Sequence, residues 1–149
     1  ETDDGTIWNQ GQVRRGVPAS GWWEIEAASD GEYEFDLRRW PEEAGHAIAA
    51  GIDGDDVEWD RDGVQPGAQA HYTGGVAIGY SQATLIVDQS ARYEAEVEAD
   101  TPAVTLRARL AAGEHHLRAI FSNAAGAYGT AYYVTVRRVE QASGLPNPA

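Results

Sequence analysis

The chain has no cysteine and no methionine, and it contains no long run of apolar residues. Without cysteine it can form no disulfide. A chain of 149 residues does not need one, because a domain of this length buries about 68–70% of the surface that its unfolded form exposes. No apolar stretch approaches the roughly 20 residues of a membrane-spanning helix. We therefore expect a single domain with its own core and no membrane partner.

Positive charge is also scarce. The chain carries 11 basic residues against 24 acidic ones, for a net charge of −13, and every basic residue is arginine. Nucleic acids and anionic membranes bind basic patches, so neither is expected as a partner. An acidic, lysine-free composition is typical both of salt-loving sources and of GC-rich genomes that favour arginine codons, and this alternative stays open.

The most regular pattern lies between Gly21 and Pro41, in the stretch GWWEIEAASDGEYEFDLRRWP. Apolar and polar residues alternate on both sides of the pair Asp30-Gly31, and such alternation is typical of strands with one buried and one wet face. Two alternating runs around Asp-Gly predict a β-hairpin. The apolar positions of the two runs are Trp23 and Ile25, then Tyr33, Phe35 and Leu37.

The same period of two recurs through the second half of the chain, with turn residues between the runs. Clear strands are predicted near residues 83–88, 92–98, 104–110, 115–121 and 132–136, and a short one near 76–80. No helix-length period is present, and residues 41–50 could hold at most a short helix. Seven or eight short strands predict an all-β fold, an antiparallel β-sandwich of jelly-roll style. We expect one domain over residues 1–139 and a flexible tail over 140–149.

Three separated segments resemble one known family. WNQGQVRRG (residues 8–16), GEYEFDLRRWPEEA (31–44) and GAYGTAYYVTVRR (126–138) look like the C-terminal region of bacterial arylsulfatase-type enzymes, in the same order. The resemblance implies a piece of a larger sulfatase-like hydrolase, whose catalytic domain would be the partner within one parent chain. It also implies a secreted or periplasmic parent. A weaker similarity relates GEYEFDLR and AGEHHLRAIF to galactose-binding-like jelly-roll modules.

The chain departs from that family at the catalytic motif. Sulfatases use a formylglycine that is made from the Cys or Ser of a Cys/Ser-x-Pro-x-Arg motif. No proline of this chain stands in such a motif. The chain by itself is therefore not expected to hydrolyse sulfate esters. The resemblance instead implies a non-catalytic accessory domain that stabilises or completes the catalytic domain.

An acidic loop in the middle of the chain is the candidate metal site. Glu58, Asp60 and Asp62, followed by Gly63, place oxygens at the first, third and fifth positions of an EF-hand-like loop, which suits Ca²⁺. Gln69 stands at the twelfth position, where a bidentate carboxylate is needed. A solvated acidic loop without metal remains the competing interpretation.

Exposed tryptophans are the candidate binding residues. Strand parity places Trp22 and Trp40 on the polar faces of the first two strands, and exposed aromatic groups beside charged ones suit a sugar platform or a domain interface. Arg38, Arg39 and Trp59 are the further candidate contacts. The first hypothesis is the interface with the sulfatase domain, and the alternative is a carbohydrate-binding module that binds polysaccharide, with Ca²⁺ as a structural ion.

The remaining polar clusters predict no catalytic site. Glu32, Glu34 and Asp36 share one face of a single strand, whereas a glycosidase needs two carboxylates across a cleft. His115 and His116 are neighbours on a strand and point to opposite faces, so they cannot bind one zinc ion together.

Overall fold

The structure is a computed structural model that describes residue 7 and residues 10–54, 59–60, 69–70 and 74–140. It contains a helix α1 (Gln10–Arg15) and a 3₁₀ turn (Glu42–Ala44). Neither is long and apolar enough to cross a membrane. The strands are β1 (Trp23–Ala27), β2 (Gly31–Arg38), β3 (Trp59–Asp60), β4 (Gln69–Ala70), β5 (Gln82–Val87), β6 (Ala91–Glu96), β7 (Val104–Leu110), β8 (Gly113–Ser122), β9 (Tyr128–Thr130) and β10 (Tyr133–Arg138).

Two antiparallel sheets face each other. The five-stranded sheet has the order β1-β8-β5-β6, and β9 also pairs with β8. The three-stranded sheet has the order β10-β2-β7, and β3 and β4 form a separate two-stranded ladder. Leaving aside the short ladder of β3 and β4, the chain crosses to the other sheet at β2, β5, β7, β8 and β10. The all-β prediction, an antiparallel sandwich of jelly-roll style, is therefore confirmed.

The core lies between the sheets and takes one face of each strand. β7 buries every second residue, from Val104 to Leu110, and β2 does the same over its whole length. Alternate side chains of a strand point to opposite faces, so the alternation read from the sequence becomes one buried layer and one wet layer. The side chains at the centre, 0–1% exposed, are Phe35, Leu37, Leu85, Leu117 and Phe121.

The predicted hairpin around Asp30-Gly31 is wrong. The chain turns there, but β1 pairs with β8 in one sheet and β2 pairs with β7 and β10 in the other. The Asp30 carboxylate accepts a hydrogen bond from Ala112 N at 2.7 Å, in the neighbouring connection between β7 and β8. Strands that bury one face each satisfy the same alternating pattern whether they pair or face each other across a sandwich.

Two smaller differences concern the segments outside the sheets. Helix α1 forms in the segment 10–15, where no helix was predicted. Residues 76–80 form no strand, and a single bridge joins Ile52 to Gly75 just before them. Main-chain bonds nevertheless hold these segments together. Val76 N donates to Arg14 O at 2.7 Å, and Ile78 N donates to Ala49 O at 3.1 Å.

Candidate functional site

Trp22 lies on the outer face of the five-stranded sheet. The residue next to it, Trp23, is registered with Leu117, which is buried, so Trp22 falls beside Arg118 on the opposite, solvent-facing side. The side chain of Trp22 is 42% exposed. It is one of two large apolar side chains that are exposed among the described residues. Trp22 stands immediately before β1, and its exposed side chain agrees with the prediction from strand parity.

A cation and a contact between a histidine and a carboxylate flank this indole. The guanidinium carbon of Arg118 lies 5.7 Å from the centre of the Trp22 ring, and Arg118 also donates a hydrogen bond to the Ser20 hydroxyl. Two residues further along each chain segment, Glu24 of β1 is registered with His116 of β8, and His116 Nε2 lies 3.4 Å from Glu24 Oε1. We call these four side chains, Trp22, Glu24, His116 and Arg118, the Trp22 face. It combines one apolar ring with donors and acceptors on an open surface.

Arg38 does not belong to the Trp22 face. It ends β2 in the three-stranded sheet, where it is registered with Tyr133. Its guanidinium lies 3.6 Å from the carboxylate of Glu42. The two candidate contacts therefore lie on opposite layers of the sandwich.

Trp40 and Arg39 are buried, and the prediction of an exposed Trp40 is wrong. Their exposed fractions are 2% and 1%. Strand β2 ends at Arg38 and the chain bends through residues 39–40, so strand parity no longer decides where these side chains point. The indole Nε1 of Trp40 donates to Ala50 O at 3.1 Å, which satisfies its one polar atom inside the protein.

The buried guanidinium of Arg39 ties together segments from different parts of the chain. It donates to Ala50 O at 3.2 Å and to Val76 O at 2.7 Å, and it stacks over the Trp40 ring at 4.4 Å. Burial lowers the pKa of Arg39, and burial also raises the pKa of Tyr80, whose ring lies 5.9 Å from the guanidinium carbon. Carbonyl oxygens and aromatic faces thus compensate a buried cation.

The packing around Trp40 leaves no room for a ligand to stack on it. A Cβ atom on Gly75 would lie 2.8 Å from the Trp40 ring, so that position needs glycine. The His46 ring meets the indole edge-on at a centroid distance of 6.3 Å. Trp40 and Arg39 are therefore packed inside the protein, and the contact role predicted for them has no open surface to act on.

The predicted calcium loop lies outside the described side chains. Glu58 and Asp62 are not described, and of Asp60 and Trp59 only the backbone is, as strand β3. The calcium site and the role of Trp59 stay predictions. Within the described residues, no group of three or more histidine, cysteine or acidic side chains is arranged to hold a metal ion.

The acids on the outer face of β2 form ion pairs. Glu34 lies 2.9 Å from Arg107 of β7 on one side and 2.9 Å from Arg137 of β10 on the other. Asp36 accepts a hydrogen bond from Thr105 Oγ1 at 2.5 Å. Glu34 and Asp36 are therefore engaged by partners on the neighbouring strands of the same sheet.

Sequence reasoning missed Arg118 and His116 as neighbours of Trp22. Nothing in the local pattern links them, because they are almost a hundred residues away and come together only through the register of β1 on β8. Pairing β1 with β8 was the missing information. The expected hairpin had assigned β1 to β2 instead.

No family model matches the chain, and no curated protein does. The resemblance to arylsulfatase C-terminal regions gains no support from these comparisons and stays a prediction.

Solved structures with a similar arrangement of strands include family 35 carbohydrate-binding modules. One, from an environmental isolate, is 16% identical, with 81% of this chain and 66% of that one covered and a TM-score of 0.41. Another, from Cellvibrio japonicus Abf62, is 15% identical, with coverages of 83% and 71% and a TM-score of 0.42. The Podospora anserina GH26-CBM35 β-(1,4)-mannanase is 15% identical, with coverages of 95% and 24% and a TM-score of 0.44. At these values the likeness concerns the fold and carries no argument about a ligand.

Proposed function

We propose that this chain is a carbohydrate-binding module that holds a polysaccharide on the Trp22 face. The observation that carries the proposal is the indole of Trp22, 42% exposed on a regular sheet and flanked by Arg118 at 5.7 Å. Large apolar rings that stand in water have a cost that a binding partner removes. A sugar ring offers the matching chemistry, an apolar C–H face bordered by hydroxyl groups.

The side chains around the indole supply the polar half of such a contact. Arg118 offers N–H donors, Glu24 offers acceptor oxygens, and His116 offers either according to its protonation. The sheet backbone fixes the relative positions of all four side chains, so little order has to be created when a ligand binds. This arrangement suits recognition of a chain segment on an open face.

The ligand class follows from the charge of the whole chain. With a net charge of −13, the protein repels sulfated and other strongly anionic polymers at low ionic strength. We therefore expect neutral polysaccharides to bind more tightly than sulfated ones.

Affinity gel electrophoresis against neutral and sulfated polysaccharides, with and without Ca²⁺, tests the proposal. At least one neutral polymer should retard the protein, and Trp22→Ala should weaken that binding by about tenfold or more, which is about 1.4 kcal/mol at 25 °C. Trp22→Phe keeps an aromatic face and should retain most of the affinity. Thermal unfolding should be nearly unchanged in both variants, because the ring is exposed.

Val76→Ala is the matched control. Val76 is the other large apolar side chain that stands out from the described surface, at 51% exposed, and it lies outside the Trp22 face. If binding survives Trp22→Ala but is lost in Val76→Ala, the binding site lies around Val76 and not on the Trp22 face. Binding of no polysaccharide at all would overturn the proposal.

An exposed tryptophan beside an arginine also suits docking onto another domain. That is the second candidate, the accessory role in a larger hydrolase, and the same exposed Trp22 is the observation behind it. In that case neither the unsubstituted protein nor Trp22→Ala would be retarded by polysaccharide. Trp22→Ala would instead weaken association with the catalytic domain of the parent protein.

A further inference from the structure

His115 occupies the end of the sandwich where three connections meet. It lies on β8 registered with Ile25 of β1, and its side chain is 11% exposed. The β5–β6 turn brings Asp88 to it, and the β7–β8 connection brings Ala111. The third connection, between β1 and β2, joins the same region through the bond from Ala112 N to Asp30.

Both ring nitrogens of His115 face acceptors. Nδ1 lies 2.7 Å from Asp88 Oδ2, and Nε2 lies 2.8 Å from the carbonyl oxygen of Ala111. An ionised carboxylate and a carbonyl can only accept hydrogen bonds, and neutral imidazole carries one N–H. Only the imidazolium form, with two N–H groups, donates to both partners at once.

The carboxylate of Asp88 favours the same form. The acids that line a cleft of about 250 Å³ beside this strand pair, Glu24 and Glu26 of β1 and Glu114 of β8, alternate with Ile25 and His115, so their side chains point to the opposite face of the sheet from the ring. Asp88 faces the ring from the β5–β6 turn and also accepts a bond from His116 N at 2.9 Å. The hydrogen bond with Ala111 O, followed by that with Asp88, raises the pKa of His115, and partial burial opposes them.

The turn that His115 holds is unusual in its backbone. Asp88 and Gln89 have φ angles of 50° and 63°, in the left-handed region that non-glycine residues rarely adopt. Asp88 N donates to His116 O at 2.9 Å, so main-chain and side-chain bonds both fasten this turn to β8. A turn with two such residues depends on its surroundings to keep its shape.

We propose that His115 is a pH-dependent latch, which as imidazolium joins the β5–β6 turn to the β7–β8 connection and on deprotonation releases one of them. The contribution is complete below the pKa of the unfolded chain, about 6.5, and is lost as the pH rises through the higher pKa of the folded protein. The sandwich therefore loosens at this end as the pH rises through that higher pKa, while its centre stays packed.

Nuclear magnetic resonance of the ¹⁵N-labelled chain tests the latch. Both ring nitrogens of His115 should be protonated at pH 6, below the ordinary pKa of histidine, and its titration midpoint should lie above 6.5. Amide protection factors, corrected for the intrinsic effect of pH, should fall about tenfold in the turn at residues 88–90 across that midpoint. Core amides of β8 should keep their protection.

Two variants separate the latch from a packing role. His115→Gln cannot change charge, so the turn should lose its pH-dependent protection. Asp88→Asn keeps a side-chain acceptor for His116 N but removes the negative charge, so the midpoint of His115 should fall. His116→Gln is the matched control, because it replaces the adjacent, half-exposed imidazole and should leave the behaviour of His115 unchanged.

A titration midpoint of His115 at or below 6.5 would overturn the proposal. So would turn protection that is independent of pH in the unsubstituted protein, or a midpoint that Asp88→Asn leaves in place. The Asp88→Asn result keeps the test decisive even where His115→Gln does not fold.

Discussion

Two tryptophans that look alike in the sequence differ in kind once the chain is folded. Trp22 and Trp40 both stand at an end of a strand, next to charged residues, and the same parity argument predicted exposure for both. Trp22 is 42% exposed, and Trp40 is 2% exposed with its Nε1 bonded to Ala50 O. Trp22 stands immediately before β1, whereas Trp40 lies two residues beyond the end of β2, after the chain has bent at residues 39–40.

Trp40→Ala should therefore reduce stability far more than Trp22→Ala. Replacing a buried aromatic side chain by alanine removes its packing and leaves a cavity, which costs about 3–5 kcal/mol. Trp22→Ala, at an exposed position, should change the free energy of unfolding by about 0.5 kcal/mol or less. Urea unfolding of both variants measures the two values. Equal effects would show that the burial of Trp40 contributes little.

At the scale of the elements, β2 depends on its neighbours on both sides. Its outer face carries Glu34 between Arg107 of β7 and Arg137 of β10. Its inner face carries Phe35 and Leu37, both fully buried. The alternation along β2 was readable in the sequence, and so was the outward direction of its acids. Their partners were not, because β7 and β10 lie about seventy and a hundred residues away along the chain.

The central position of Glu34 predicts an acid-sensitive contribution to stability. The hydrogen bond with Arg137 is the main cause that lowers the pKa of Glu34, partial burial opposes it, and the charge of Arg107 adds to the lowering. A lowered pKa stabilises the fold above the unfolded pKa of about 4.3, and the contribution is lost as pH falls through the folded value.

Glu34→Gln should therefore be less stable than the unsubstituted protein at pH 7, and the difference should shrink towards zero as the pH is lowered through 4. Urea unfolding at a series of pH values measures this. Glu96→Gln is the control, since Glu96 is exposed on β6 and the described residues include no ion-pair partner for it. A difference that stays constant with pH would mean that Glu34 acts by its shape and not by its charge.

At the scale of the whole molecule, the net charge of −13 opposes folding. Bringing the acids together in a compact domain makes them repel one another, and salt screens that repulsion. Salt also weakens the exposed ion pairs, such as Arg92 with Glu94, but each such pair contributes only about 0–1 kcal/mol. Repulsion distributed over the whole surface should therefore be the larger effect.

Raising sodium chloride from about 0.05 M to about 1 M should increase the melting temperature, because the screening length falls to about 3 Å at the higher concentration. Differential scanning calorimetry at neutral pH measures the change. A decrease in melting temperature would mean that the ordered pairs around Glu34 outweigh the general repulsion.

The sequence by itself determined the class of fold and the orientation of most strand residues. It did so because alternation with a period of two reports which face of a strand is buried, and that information is local. The buried layer of β2 and β7 and the exposure of Trp22 follow from it directly.

Only the tertiary structure decided which strands pair, what surrounds Trp22 and where Arg39 and Trp40 lie. Pairing β1 with β8 and β2 with β7 and β10 depends on contacts between distant parts of the chain, which alternation cannot distinguish from a local hairpin. The Trp22 face exists only through the register of β1 on β8, and the bond of His115 to Asp88 exists only because β5 pairs with β8. Burial of Trp40 follows from the bend after β2 and from carbonyl groups that the rest of the fold brings to it.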